Sequence, residues 1–242
     1  MRKLILFLLP LLTIFSCSEK ESNLIITGEI EGLKKGTLYL QKIVDTSLHT
    51  IDSVRVEGNS QFTFETFIES PQVLYLYLKK VDNSKFDDRI TFFAEPGKMT
   101  ITTELKNFTT EAEITGSENQ EKYLEYEEMM SNFNNNRLDL IKADILAQKE
   151  GDQEKIDSLT SRFENLIKRR YLYTINFALN NKDLELAPYL AISEVYDANI
   201  KYLDTVYASL SPKVRDSKYG KSLKQLLEDR RAAEEVQPRN RK

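Results

Sequence analysis

Ile114-Thr115-Gly116-Ser117-Glu118-Asn119-Gln120 is the stretch where the chain changes period. Before it, apolar residues recur every second position. After it, they recur every third or fourth. Ser117 at an N-cap with Gln120 at N3 reads as a capping box, a sequence signature of a helix start. The chain is therefore expected to be α+β, with an N-terminal antiparallel β-sandwich over residues 24–116 and a helical region over 117–235.

Upstream of Ser117, short runs rich in Val, Ile, Thr, Phe and Tyr are separated by turn clusters, the pattern of half-buried strands. The expected strands are Leu24–Ile30, Thr37–Ile43, Thr50–Val56, Gln61–Phe67, Gln72–Lys80, Arg89–Ala94, Lys98–Thr103 and Ala112–Ile114. In Gln61–Phe67 the alternation is strict: Phe62 and Phe64 take one face, Thr63 and Glu65 the other. Gln72–Lys80 is apolar on both faces, Val73, Tyr75 and Tyr77 against Leu74, Leu76 and Leu78, which marks a central strand. Seven or eight short strands at this spacing predict a sandwich.

Downstream, Tyr123, Tyr126, Met130 and Phe133 keep a helical period. Asn134-Asn135-Asn136 is a weak point, and the period resumes through Leu138, Ile141 and Ile145. Gly151-Asp152 supplies a stop and a new N-cap. Ile156, Leu159, Phe163, Leu166 and Ile167 then carry a second helix to about Leu179, making a long helical hairpin. Pro188 opens a third helix, Ile200–Leu210 forms another, and Ser211-Pro212 is an N-cap and N1 pair. The last helix is Lys218–Glu235. The basic stretch 236–242 is expected to be a disordered tail.

The N-terminus is a separate element. Arg2 and Lys3 precede an apolar run, Leu4–Phe15, too short for a membrane-spanning helix of about 20 residues and suited to the h-region of a secretory signal. Ile14, Ser16 and the sole cysteine, Cys17, resemble a bacterial lipoprotein signal, with cleavage between Ser16 and Cys17. The resemblance implies a Cys17 thiol carrying palmitate-type diacylglycerol, and two or more acyl chains make a stable anchor. Residues 17–23 then form the lipidated cysteine and a polar tether. The expected location is the cell envelope, at the outer membrane, on a face the sequence does not choose.

Removing residues 1–16 from 242 leaves 226, with 32 basic and 38 acidic side chains. A net charge of −6 argues against nonspecific nucleic-acid binding, which depends on clustered Lys and Arg. With Cys17 acylated, no thiol remains for a disulfide or a thiolate metal site.

Ile26-Thr27-Gly28-Glu29-Ile30, Leu38-Tyr39-Leu40, Ile51-Asp52-Ser53-Val54, Phe62-Thr63-Phe64, Phe92-Phe93-Ala94-Glu95-Pro96-Gly97 and Ile114-Thr115-Gly116-Ser117 resemble, in order and spacing, the domain-of-unknown-function (DUF) 4369 type. Ser217-Lys218-Tyr219-Gly220-Lys221 resembles the segment that usually follows it. In that family the unit often precedes a thioredoxin-like domain of envelope thiol–disulfide oxidoreductases. The sequence as given carries no Cys-x-x-Cys and ends about where such a domain would begin. Thiol exchange requires an attacking thiolate, so what the resemblance implies here is an accessory module rather than the oxidoreductase.

No constellation points to catalysis, a cofactor or a metal. His49, the sole histidine, has neither the nucleophile nor the acid a triad needs, and one His without a thiol makes a poor zinc site. It reads as a loop or strand-edge residue. Asp87-Asp88, Glu127-Glu128 and Glu234-Glu235 read as solvated faces. Paired carboxylate catalysis needs two groups held across a cleft, and sequence neighbours on a helix point about 100° apart. Gly28, Gly32 and Gly36 lack the Lys-Ser/Thr of a phosphate loop. Glu95, in the Phe93–Gly97 turn, is expected to bond the turn's own backbone. Tyr75, Tyr77, Tyr123, Tyr126, Tyr171 and Tyr173 either line a ligand groove or form the lining between sheet and helices. Asp52-Ser53-Val54, Asp157-Ser158-Leu159 and Asp204-Thr205-Val206 resemble the O-glycosylation acceptor of the bacterial group where the family is common. Ser53, Ser158 and Thr205 are the candidate sites, although Leu159 and Val206 look core-facing.

The expected function is a membrane-anchored, non-catalytic binding or scaffolding module with an envelope protein or a second copy as partner. An accessory to an envelope thiol oxidoreductase is the alternative, and a carboxylate-based hydrolase a third class.

Overall fold

The computed structural model describes residues 21–81 and 88–236, with side chains through Glu234. The signal peptide, Ser16, Cys17, Asp87 and the tail 237–242 lie outside the described residues. Eight strands fill the first half: β1 Leu24–Glu31, β2 Lys35–Val44, β3 Ser47–Glu57, β4 Gln61–Thr66, β5 Gln72–Lys80, β6 Arg89–Ala94, β7 Gly97–Glu104 and β8 Glu113–Thr115. They form two four-stranded sheets, ordered β4-β1-β7-β8 and β3-β2-β5-β6. The sandwich expected from the alternation is present, and all pairs are antiparallel except β1 with β7.

The sandwich interior is the alternating set. Leu38 and Leu40 of β2, Leu74, Leu76 and Leu78 of β5, and Ile26, Phe64, Phe92 and Ile101 are all buried in one cluster. A strand shows every second residue to one face, so a single register fixes the whole set. β5 lies between β2 and β6 and buries its other face too, through Val73 and Tyr75 against the helices.

The helices are α1 Glu118–Glu150, α2 Gln153–Asn180, α3 Leu186–Ser193, α4 Ile200–Ser209, α5 Pro212–Asp216 and α6 Lys218–Val236. The weak point at Asn134–Asn136 does not break α1, which runs unbroken for 33 residues. All three asparagines are exposed, so each costs only its helix propensity, roughly half a kcal/mol. Packing of Leu140 and Ala147 on Leu159 of α2 supports the continuation. Gly151 ends α1 in the left-handed region, φ 70°, a conformation glycine adopts at little cost. Asp152 then caps α2 by accepting from Lys155 N at 3.0 Å. α3 starts two residues before Pro188, which sits in the first turn where its missing N–H has no intrahelical partner to lose. α3, α4, α5 and α6 close over Ile175, Ala178, Leu203, Val206, Val214 and Leu223 as a second core. No described helix is long and apolar enough to cross a membrane.

Candidate site at the seam between sheet and helices

A third cluster joins the halves. Val73 of β5 and Phe93 of β6 meet Tyr126 and Met130 of α1, Leu186 and Leu190 of α3, and Tyr219 of α6. The rings interlock edge to face: Phe93 to Tyr189 at 5.6 Å and 88°, and Phe93 to Tyr219 at 5.9 Å and 64° between centroids. Such geometry suits ring quadrupoles. Two hydroxyls are bonded inside the seam. Val73 N donates to Tyr219 Oη at 2.9 Å, and Tyr126 Oη pairs with Thr174 Oγ1 at 2.8 Å. Burial raises the pKa of Tyr123, Tyr126, Tyr189 and Tyr219, that of Tyr189 to about 12.

A polar joint pins the start of α1. Ser117 Oγ accepts from Gln120 N at 3.0 Å, as the capping-box reading requires. The Gln120 side chain does not complete that box. Its Oε1 accepts from Phe93 N at 2.7 Å and so satisfies a backbone donor of the edge strand β6. Glu95 also departs from expectation. Its carboxylate accepts from Ser117 Oγ at 2.6 Å and Asn119 N at 3.0 Å, not from its own turn. Unpaired N–H groups and the positive end of the helix dipole draw an anion to that position. Asn119, fully buried, carries the joint onward: its Oδ1 accepts from Leu186 N at 2.8 Å and its Nδ2 donates to buried Glu185 at 3.3 Å. Sequence reading missed this joint because its partners lie 22 to 67 positions apart.

Beside the seam the sheet splits. β2 pairs with β5 only from Gly36 to Gln41, ending at Gln41↔Tyr75. A register shift between Leu40 and Gln41 leaves Ile51 of β3 as an extra residue in the β2–β3 pair, and such a bulge locally disrupts the ladder and increases its twist. Lys42, Ile43 and Val44 continue beyond the pairing with β5. The N-terminus of α6 enters the gap, and the motif Ser217–Lys221 explains how. Ser217 Oγ accepts from Gly220 N at 3.2 Å. A Cβ at Gly220 would lie 2.1 Å from Val214 O, so only glycine lets α6 turn this tightly against α5. Tyr219 takes the Val73 N–H described above. Lys218 Nζ donates to Gln72 Oε1 at 3.0 Å and lies 5.5 Å from the Tyr219 ring centroid.

The gap is an open groove made of two adjoining depressions of about 470 and 410 Å³. Ile43, Asp45 and Lys218 line both; Phe67 and Ile68 wall the first, and Tyr75 and Tyr189 the second. Partial desolvation, then the charge of Lys42, lowers the pKa of Lys218. Among the described residues Lys218 has no carboxylate in ion-pair contact. The lining is part apolar and part charged, with Lys42 and Lys218 set against Asp45 and Glu69.

The tyrosines named from sequence divide between the two readings. Tyr123, Tyr126 and Tyr173 form the lining between sheet and helices. Tyr75 reaches the groove. Tyr77 stays on the sheet, stacked on Tyr39 at 6.0 Å with Arg89 5.4 Å from its ring centroid. Tyr171 donates to Asp197 at 2.7 Å. Tyr75, and Lys218 and Tyr219 within the Ser217–Lys221 motif, are the groove residues that the sequence singles out; Lys42 and Phe67 carry no local mark of it.

His49 lies exposed on the edge strand β3. Asp88 pairs with Lys80 at 2.7 Å, and Glu234 is exposed. The pKa of Glu127 is raised by partial desolvation and then by Glu194, not by its neighbour Glu128. Glu194 itself accepts from Arg170 at 2.6 Å. Ser53, Ser158 and Thr205 are all exposed even though Leu159 and Val206 are buried. Thr205 Oγ1 donates to Lys201 O at 2.7 Å. Among the described residues no group of three or more His, Cys, Asp or Glu side chains is placed to hold a metal ion.

Residues 24–123 match the family model described as Domain of unknown function (DUF4369). The match runs past the last strand into the first turns of α1, and so takes in Glu95 and Ser117–Gln120 but not their partners Glu185 and Leu186. No curated protein and no solved structure matches the chain. The N-terminal β-sandwich, with the helix start pinned to it, is a DUF4369 domain.

Proposed function

We propose that the protein is a lipid-anchored envelope module that binds a partner and performs no chemistry on it. Its binding site is the groove where β2 leaves β5. The observation that carries this reading is that the groove is walled by both halves of the molecule, β2 and the β4–β5 loop on one side and α6 on the other. The seam beside it is closely packed and hydrogen-bonded, and a site preorganised in this way lowers the cost of binding. The lipoprotein-like Cys17 supports the anchor, and the outer membrane is the proposed location.

Photocrosslinking in cells tests the reading. A photoreactive side chain replacing Phe67 is expected to capture a specific adduct, while one replacing exposed Leu146 on the hairpin is not. Equal or absent capture from the two positions would refute the groove as the site. A Cys-x-x-Cys protein captured at Phe67 would turn the reading into that of an oxidoreductase accessory.

A further inference from the structure

The chain enters the folded body at the groove. Asn23 N donates to Thr66 O at 3.1 Å, Asn23 Nδ2 donates to Ile68 O at 2.8 Å, and Ile68 N donates back to Asn23 Oδ1 at 2.9 Å. Ile68 walls the groove. Cys17 lies six positions upstream of Asn23, and six extended residues span about 20 Å. The opposite end of β5, eight positions away at Lys80, is about 27 Å further off. A lipid on Cys17 would therefore hold the groove end next to the bilayer.

That end has a surface suited to the bilayer interface. Ile43, Val44 and Leu48, at the turn end of the β2–β3 hairpin, are 44, 40 and 39% exposed, and Phe67 is 38% exposed. Ile43 and Leu48 are cross-strand partners. Phe67, Ile43 and Val44 wall the same depression. Four large apolar side chains on a hairpin tip and an adjacent loop would normally be a solubility liability. Lys42 and Lys218 stand beside them, where long cationic side chains can bury their stems and reach headgroup phosphates. Asp45 and Glu69 on the rim offset much of the positive charge, so apolar insertion rather than long-range attraction supplies the contact.

We infer that the groove end, with Ile43, Val44, Leu48 and Phe67 at its mouth, docks on membrane lipid, so that the partner of the groove is the bilayer carrying the anchor. The inference rests on the anchored-module reading and names its partner. Docking holds the groove end of the sandwich against the surface.

The chain contains no tryptophan, so one introduced indole reports on its own surroundings. The full chain, processed and purified from cells, is reconstituted into vesicles of phosphatidylethanolamine and phosphatidylglycerol with or without brominated acyl chains. Flotation of the vesicles reads the anchor. Ile43→Trp and Phe67→Trp are expected to be quenched several-fold more by the brominated lipid than Leu146→Trp, with bluer emission. All three replace exposed side chains, and circular dichroism confirms that each variant is folded. Flotation with equal quenching at the three positions overturns the docking and leaves the anchor standing. Failure to float removes the anchor, and the docking with it. A protein adduct from Phe67 in cells, together with unquenched indoles in vesicles, would keep the groove as a binding site and exclude lipid as its occupant.

Discussion

α1 has two unlike halves. Its first half, Glu118 to Phe133, buries Tyr126 and Met130 against the sheet and α3. Its second half carries the same kind of apolar repeat, Leu138, Ile141 and Ile145, yet Leu138 and Ile145 are 50 and 49% exposed. There only Leu140, Ala143 and Ala147, on a different stripe, meet α2. The helix is continuous, so the difference is not one of backbone. The first half has a sheet beside it; the second extends past it and has only another helix. An apolar stripe states what a helix could bury. Whether it does depends on what stands opposite, and propensity is silent on that.

The contrast is broken or kept by the same substitution at two places. Met130→Ala, at a residue 6% exposed in the seam, is expected to cost about 2–5 kcal/mol in denaturant unfolding, the range for emptying a packed site. A cost under about 1 kcal/mol would show that the seam relaxes around the loss, and that the two halves of α1 are less different than their burial implies.

Tyr219→Phe asks a finer question of the same seam. The ring contacts to Phe93 and Tyr189 stay, while the acceptor for Val73 N–H is lost. Leaving that donor buried without a partner is expected to cost about 1–3 kcal/mol. No measurable cost would mean that water reaches Val73 from the neighbouring groove. The seam would then be held by apolar packing alone.

Local features of this fold were legible because they are periodic or stereochemical. Runs rich in aromatic and aliphatic residues located Gln72–Lys80 and Arg89–Ala94 to the residue, and Gly151-Asp152 located the turn of the hairpin. The capping box at Ser117 gave the helix start but not the use of Gln120, because Phe93 N–H belongs to a strand 27 positions earlier. Glu95 stands in a recognisable turn, yet its carboxylate serves a helix start 22 positions on. The parallel pairing of β1 with β7 leaves no local mark, since a strand's alternation is the same whichever way its neighbour runs. The groove was least legible of all. It arises where β2 stops pairing with β5, and the register shift at Leu40/Gln41 carries no distinctive residue type. Ser217–Lys221 could be singled out as a unit, but only the tertiary structure shows that it caps a helix, seats an ammonium group and supplies an acceptor to a strand.

The smallest effect belongs to the second half of α1. Leu138→Ala and Ile145→Ala remove side chains that are about half in water already. Their loss is expected to change stability by no more than about 0.5 kcal/mol each, as at ordinary surface positions. Ala is also the better helix former, which offsets part of any lost contact. The informative outcome is the opposite one. If either change costs as much as Met130→Ala, and the cost depends on protein concentration, the stripe is covered in solution by a second copy, since self-association makes stability concentration-dependent. If the cost is large but independent of concentration, the hairpin packs on its own body more closely than its exposure indicates. Equilibrium unfolding of the two variants at several protein concentrations separates these outcomes and decides whether the apolar repeat after Asn136 contributes to folding at all.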